Sequence, residues 1–164
     1  MDSLLRACAS LPGELQPRLV VVGDGPERES LERLAKEIYP RVEFPGARHG
    51  LELAQFYAEA DLFVLPGTGG LAVQQAMAQA LPVIVARGDG TQDDLVRPAN
   101  GWQIPPDDLP ALTDTLRLAL SDVTRLRRMG VESFRIVSQE VNLEHMVEVF
   151  LDVLNQTWQT KGLS

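Results

Sequence analysis

Three glycines within four residues, Gly67, Gly69 and Gly70, follow the apolar run that ends at Leu65 and precede a stretch of helical period. A strand that ends in glycines and passes into a helix can hold an anion. The first-turn N–H groups are unpaired donors, the helix dipole adds roughly 0.3–1 kcal/mol for a negative charge, and no side chain blocks the approach. The backbone amides from Gly69 through Gly70 and Leu71 to Ala72 are therefore the leading candidates for phosphate contacts, although the same glycines also suit a tight turn. The lysine of a P-loop and the full G-x-G-x-x-G spacing are both lacking. Three other loops deserve weight. Gly23-Asp24-Gly25-Pro26 is explained by turn chemistry, with proline expected at the first helical position. Arg87 to Asp94 contains three carboxylates, and Asp93 and Asp94 would favour the start of a short helix. Gly46 to Gly50 presents Arg48 and His49. Cys8 lies on an apolar helical stripe and reads as core. Nothing in the order of these residues makes a hydrolytic triad, and no His/Cys/Asp group has zinc spacing, so neither a metal nor a resident cofactor is expected.

The elements that must position these loops alternate. Apolar runs at Arg18 to Val22, Val42 to Phe44, Asp61 to Leu65, Pro82 to Ala86 and Trp102 to Ile104 read as strands, the first as one buried on both faces and the last as an edge. Helical stripes separate them: Leu4, Leu5, Cys8 and Leu11; Leu31, Leu34, Ala35 and Ile38; Leu53, Phe56, Tyr57 and Ala60; then Gly70 to Ala80. Asp107-Asp108 should cap a helix through Leu120. Leu126, Met129 and Ile136 mark another, and Leu143 to Leu154 a last one. The pattern predicts an α/β fold, a Rossmann-like parallel sheet flanked by helices, in one domain over residues 1–164. In such sheets ligands lie beyond the carboxyl ends of the strands, where the glycine loops fall.

Composition narrows the partners. The 164 residues carry 15 basic and 23 acidic side chains, a net charge of −8, which disfavours nucleic acid. The longest apolar run, Ala80 to Ala86, is far short of the ~20 residues of a membrane-spanning helix. No apolar segment follows Met1, and the single cysteine forms no intrachain disulfide, so a cytoplasmic protein is expected.

Five segments together resemble the C-terminal, nucleotide-sugar-binding domain of the group 1 (family 4) glycosyltransferases, one half of the two-domain GT-B fold. They are Leu19 to Pro26, Val42 to Gly46, Tyr57 to Pro66, Ala76 to Ile84, and Asn100-Gly101-Trp102. The resemblance implies hexosyl transfer from a nucleotide diphosphate sugar, used as co-substrate, without an essential metal. It also implies roles in polysaccharide or glycolipid biosynthesis. It places the donor diphosphate at Gly69 to Ala72 and the ribose at Gln75, with Gly67, Thr68, Arg48 and Asp94 as contacts to sugar or base. The family's paired glutamates fall on Gly67 and Gln75, so two charge-assisted contacts of roughly 1.5–3 kcal/mol each are lost. The family's first strand, with its Gly-Arg and nearby lysine, and its N-terminal acceptor domain are not found in this sequence. The isolated chain is thus expected to transfer no sugar. The alternative is a non-catalytic or regulatory nucleotide-binding or interaction module with a degenerate donor site.

Overall fold

A computed structural model describes residues 1–67, 69–88 and 90–141. Their strands are β1 (Leu19–Val22), β2 (Val42–Gly46), β3 (Phe63–Leu65), β4 (Val83–Ala86) and β5 (Gly101–Ile104). The helices are α1 (Asp2–Ser10), α2 (Arg28–Ile38), α3 (Gly50–Glu59), α4 (Gly70–Ala78), α5 (Thr91–Leu95), α6 (Leu109–Leu120) and α7 (Val123–Gln139), and a 3-10 turn spans Gly13–Leu15. The helix expected over Leu143 to Leu154 lies outside the described residues.

All the strand pairs are parallel, as helix-length crossovers between consecutive strands require. The strands form two sheets, β1-β2 and β3-β4-β5, with no pairing between β1 and β3. One expectation is corrected here. The β1 residues are half-buried rather than enclosed on both faces, because β1 has a hydrogen-bonded strand on one side only. Strand β4, with a partner on each side, is the fully buried one.

Side chains alternating along β4 join two cores. Ile84 packs in a cluster with Leu4, Leu5 and Cys8 of α1 and Leu112 and Leu116 of α6. Val83 and Val85 belong to a second, with Val73 and Met77 of α4 and Ile136 of α7. Burial pushes the Cys8 thiol up to about 12, which leaves it protonated and inert at neutral pH, consistent with a core role. Tyr39, also buried, donates its hydroxyl to the Pro17 carbonyl.

Several boundaries move. Helix α2 begins at Arg28, not at Pro26, which sits in the preceding turn. Strand β3 starts two residues later than expected, at Phe63, since Asp61 and Leu62 make the approach from α3. Helix α4 stops at Ala78, where Ala80 turns left-handed with φ 57°. Strand β2 runs on through Pro45 to Gly46, where it accepts the Gly23 N–H at 3.0 Å. The Asp108 cap forms as expected, its Oδ1 accepting from the Ala111 N–H at 2.8 Å.

Candidate functional site

The glycine loop sits at the carboxyl end of β3. Pro66 and Gly67 bend the chain, Gly69 precedes the helix, and α4 starts at Gly70. A Cβ on Gly69 would lie 3.0 Å from Leu65 Cδ2, so a larger residue there would have to push the leucine tip aside by a few tenths of an ångström. Among the described residues no side chain caps α4, and no acidic residue occupies its first turn. Helices α6 and α7 are capped by Asp108 and Asp122, whereas α1, α2, α3 and α5 start without a side-chain cap as α4 does. An uncapped start leaves the first-turn donors for solvent or a ligand. Leu71 is 77% exposed, Ala72 is half-buried, and Gln75 is exposed one helical turn beyond Leu71 on the same face. Inward-facing Val73, Ala76 and Met77 fix the helix on the second core. The structure thus brings Gly67, Gly69, Gly70, Leu71, Ala72 and Gln75 onto one shelf; Thr68 lies outside the described residues.

The remaining sequence candidates stand on neighbouring loops. Arg48, in the turn between β2 and α3, points its Nη1 at the Ala47 carbonyl, 3.1 Å away, and its Nε lies 3.8 Å from Glu52 Oε2. Such an exposed pair is weakly held, so the guanidinium can turn toward a ligand at little cost. His49 is exposed ahead of α3. Asp94 is an exposed first-turn residue of α5, which follows the left-handed Gly90 (φ 95°), and α5 packs against α4. Among the described residues no cluster of three or more His, Cys, Asp or Glu is placed to hold a metal ion. No helix is long and apolar enough to cross a membrane among them either.

One residue of this rim was not singled out by its sequence context. Arg28, at the start of α2, bonds Glu32 Oε1 through Nε at 2.8 Å and the Phe44 carbonyl through Nη2 at 3.1 Å. It ties the β1-to-β2 crossover helix to the end of β2. A Cβ on Gly46, whose φ is +83°, would lie 2.9 Å from Arg28 Nη1. The sequence signal was the Gly46 that ends the strand; its cause is an arginine from another element.

Comparison with known proteins places this arrangement. Sulfoquinovosyl transferase SQD2 of Arabidopsis thaliana is 38% identical over 113 residues, 65% of this chain and 22% of that protein. A GDP-mannose-dependent monoacylated alpha-(1-6)-phosphatidylinositol monomannoside mannosyltransferase of Corynebacterium glutamicum is 29% identical over 164 residues, 93% of this chain and 43% of that one. Among solved structures, sucrose-phosphate synthase of Thermosynechococcus elongatus superposes with a TM-score of 0.79 at 28% identity, covering 97% of this chain and 42% of its own. Anabaena Alr3699/HepE in complex with UDP has the same fold, with a TM-score of 0.80 at 22% identity over 95% of this chain and 45% of its own. The chain thus spans less than half the length of these relatives. Residues 1–122 match the family model described as "Glycosyl transferases group 1", and the chain belongs to the group 1 glycosyltransferases.

Proposed function

We propose that residues 1–164 are the donor-binding half of a glycosyltransferase, taking a nucleotide diphosphate sugar whose hexosyl group passes to an acceptor held by another domain. The observation that carries this reading is the uncapped, glycine-cleared start of α4 at the carboxyl end of β3. The amides of Gly69, Gly70, Leu71 and Ala72 face the diphosphate there and would stabilise the charge that grows on it as the glycosidic bond breaks. Gln75 faces the ribose, while Gly67, Thr68, Arg48 and Asp94 are the contacts to sugar or base. Printed names of relatives support the donor class: GDP-mannose-dependent mannosyltransferases, and a neighbour solved with UDP-glucose.

The domain itself is read as open to completion. Strands β1 and β3 each lack a hydrogen-bonded partner on one side among the described residues, and the first strand implied by the family resemblance belongs between them. With the cations of that strand missing from the site, donor affinity is expected to be no tighter than roughly millimolar, about 4 kcal/mol. Catalysis also needs an acceptor held against the donor and water excluded, so the isolated chain is inactive in this reading.

The test is chemical-shift mapping with UDP-, GDP- and ADP-sugars. Shifts should cluster from Gly69 to Gln75. Gly70→Asp should abolish them, since its carboxylate competes for the same amides. Gln75→Glu should strengthen binding by restoring a charged acceptor for ribose hydroxyls. An absence of shifts at millimolar ligand, or shifts confined to Gly23 to Pro26, would favour the non-catalytic module instead. That rival rests on the replacement of both family glutamates, by Gly67 and Gln75.

A further inference from the structure

A second surface has the chemistry of an anion site and shares no lining residue with the α4 start. A cleft of about 560 Å³ runs along β5, with Arg87, Arg97, Arg125, Asp93, Trp102 and Thr115 in its lining. Among the described residues strand β5 pairs with β4 on one side only. The Asn100 and Ile104 carbonyls accept from the Val83 and Arg87 N–H groups, so the alternation of a parallel ladder turns the main-chain N–H of Gln103 outward. Three guanidinium groups stand against Asp93 in the lining and Glu140 paired to Arg97, which leaves this surface positive in a chain of net charge −8.

The cations are partly fixed in place. The Arg125 Cζ stands 5.3 Å from the centroid of the Trp102 ring, a cation–π distance, and the side chain is half-buried. Arg97 Nη2 is held by Glu140 Oε2 at 2.7 Å and by the Asp94 carbonyl at 3.2 Å, which leaves its Nε and Nη1 free to donate elsewhere. Neither Arg87 nor Arg125 makes an ion pair with a carboxylate among the described residues. Arg125 is half-buried and Arg87 exposed, and both present guanidinium donors along this cleft. Arginine forks match the paired oxygens of a phosphoryl group, the Thr115 hydroxyl can add a neutral donor, and the cleft volume suits a small molecule.

We propose that the β5 cleft binds the phosphoryl group of a small phosphorylated molecule, held by Arg125, Arg97 and Arg87. This site is separate from the donor shelf and does not depend on the donor reading.

The experiment titrates the whole chain with inorganic phosphate and pyrophosphate at constant ionic strength, with acetate and citrate as the carboxylate arms, and follows amide and indole N–H resonances. Saturable shifts are expected at Gly101, Gln103 and the Trp102 indole. The double variant Arg87→Gln/Arg125→Met keeps the aliphatic stem on Trp102 and should weaken binding by at least about tenfold. Asp93→Asn, an exposed change that leaves packing alone, should tighten it. Gly70→Asp should leave the shifts at Gly101, Gln103 and the Trp102 indole unchanged, whatever it does to shifts at the α4 start, so failure here and failure of the donor reading are told apart. No saturable shift at about 10 mM pyrophosphate would overturn the site. So would equal shifts with citrate, or binding indifferent to both sets of variants.

Discussion

Gly130 is the sharpest stability test of how α4 is held. It lies buried in the middle of α7, where propensity alone says that alanine should be better by about 1 kcal/mol. The structure says the reverse. A Cβ on Gly130 would sit 2.0 Å from the Ala80 carbonyl oxygen and 3.0 Å from its carbon, whereas ordinary contacts lie at 3.4–4 Å. The carbonyl would need to retreat by roughly 1.4 Å, and this is backbone, not the end of a flexible side chain. Nor is that backbone free to yield. Ala80 is left-handed, its N–H bonds the Met77 carbonyl at 3.0 Å, and the Leu81 N–H bonds the Ala76 carbonyl at 3.1 Å. Overpacking costs typically about 1–3 kcal/mol, and a clash with a tied main chain belongs at or above the upper end. After the propensity gain, Gly130→Ala should lose about 2 kcal/mol. For a domain of this size that lowers Tm by about 4–8 °C. The assay is thermal and urea unfolding followed by far-ultraviolet circular dichroism. Gly13→Ala serves as control, because nothing lies within 4 Å of its added Cβ. A Gly130→Ala protein as stable as wild type, or one that behaves like Gly13→Ala, would refute the reasoning.

Two further outcomes follow from caps and ion pairs. Asp108→Ala removes the side-chain acceptor of the Ala111 N–H and should cost about 1 kcal/mol, read as a lower urea midpoint with an unchanged slope. Hydrogen bonds from Arg97 and then Arg135 hold the Glu140 carboxyl below its ordinary value of 4.5, and Arg135 does the same for Glu132. Because the folded pKa is depressed, the stabilisation is present above pH 4.5 and drains away as pH falls through the lowered value. Glu140→Gln should therefore flatten the acid limb of a stability-against-pH curve by lowering stability modestly at pH 7, since these groups are only half-buried, and by leaving it unchanged below the lowered value. An unchanged acid limb would contradict the assignment.

What was legible in the sequence was local. The Asp108 cap, the apolar face of α2 and the β3-to-α4 glycine turn each depend on residues within a few positions of one another, and each is found where expected. What was not legible depends on distant neighbours. Arg18 to Val22 read as a strand buried on both faces, but among the described residues β1 has a hydrogen-bonded strand on one side only, and its residues are half-buried. The extension of β2 to Gly46 is linked to the Arg28 guanidinium from α2. Gly130 reads as a flaw in a helix until Ala80 is placed against it. The same limit governs the site. The sequence located the α4 amides through glycine spacing, whereas Arg87, Arg97 and Arg125 are 38 residues apart at their extremes and become a group only once β4, α5 and α7 are packed.

The two proposed anion sites would solve one electrostatic problem by different means. At a net charge of −8, any phosphate approaches against the mean field of the chain. The α4 start meets it with neutral donors: an uncapped first turn, a partial positive charge at the helix end, and no carboxylate in that turn to oppose the ligand. Such a site gains little from long-range attraction, and its affinity is set by how well the amides are aimed. The packing of α4 on α7 through Gly130 and Ala80 therefore matters to binding as well as to stability. The β5 cleft instead concentrates full charges, with Arg97 held by Glu140 and Arg125 by an indole face. Screening with a length of about 8 Å at 0.15 M ionic strength weakens attraction to those arginines, while it relieves the general repulsion felt by an anion at the α4 amides. Salt thus acts in opposite directions on the two surfaces, which follows from one being built of main chain and the other of guanidinium groups.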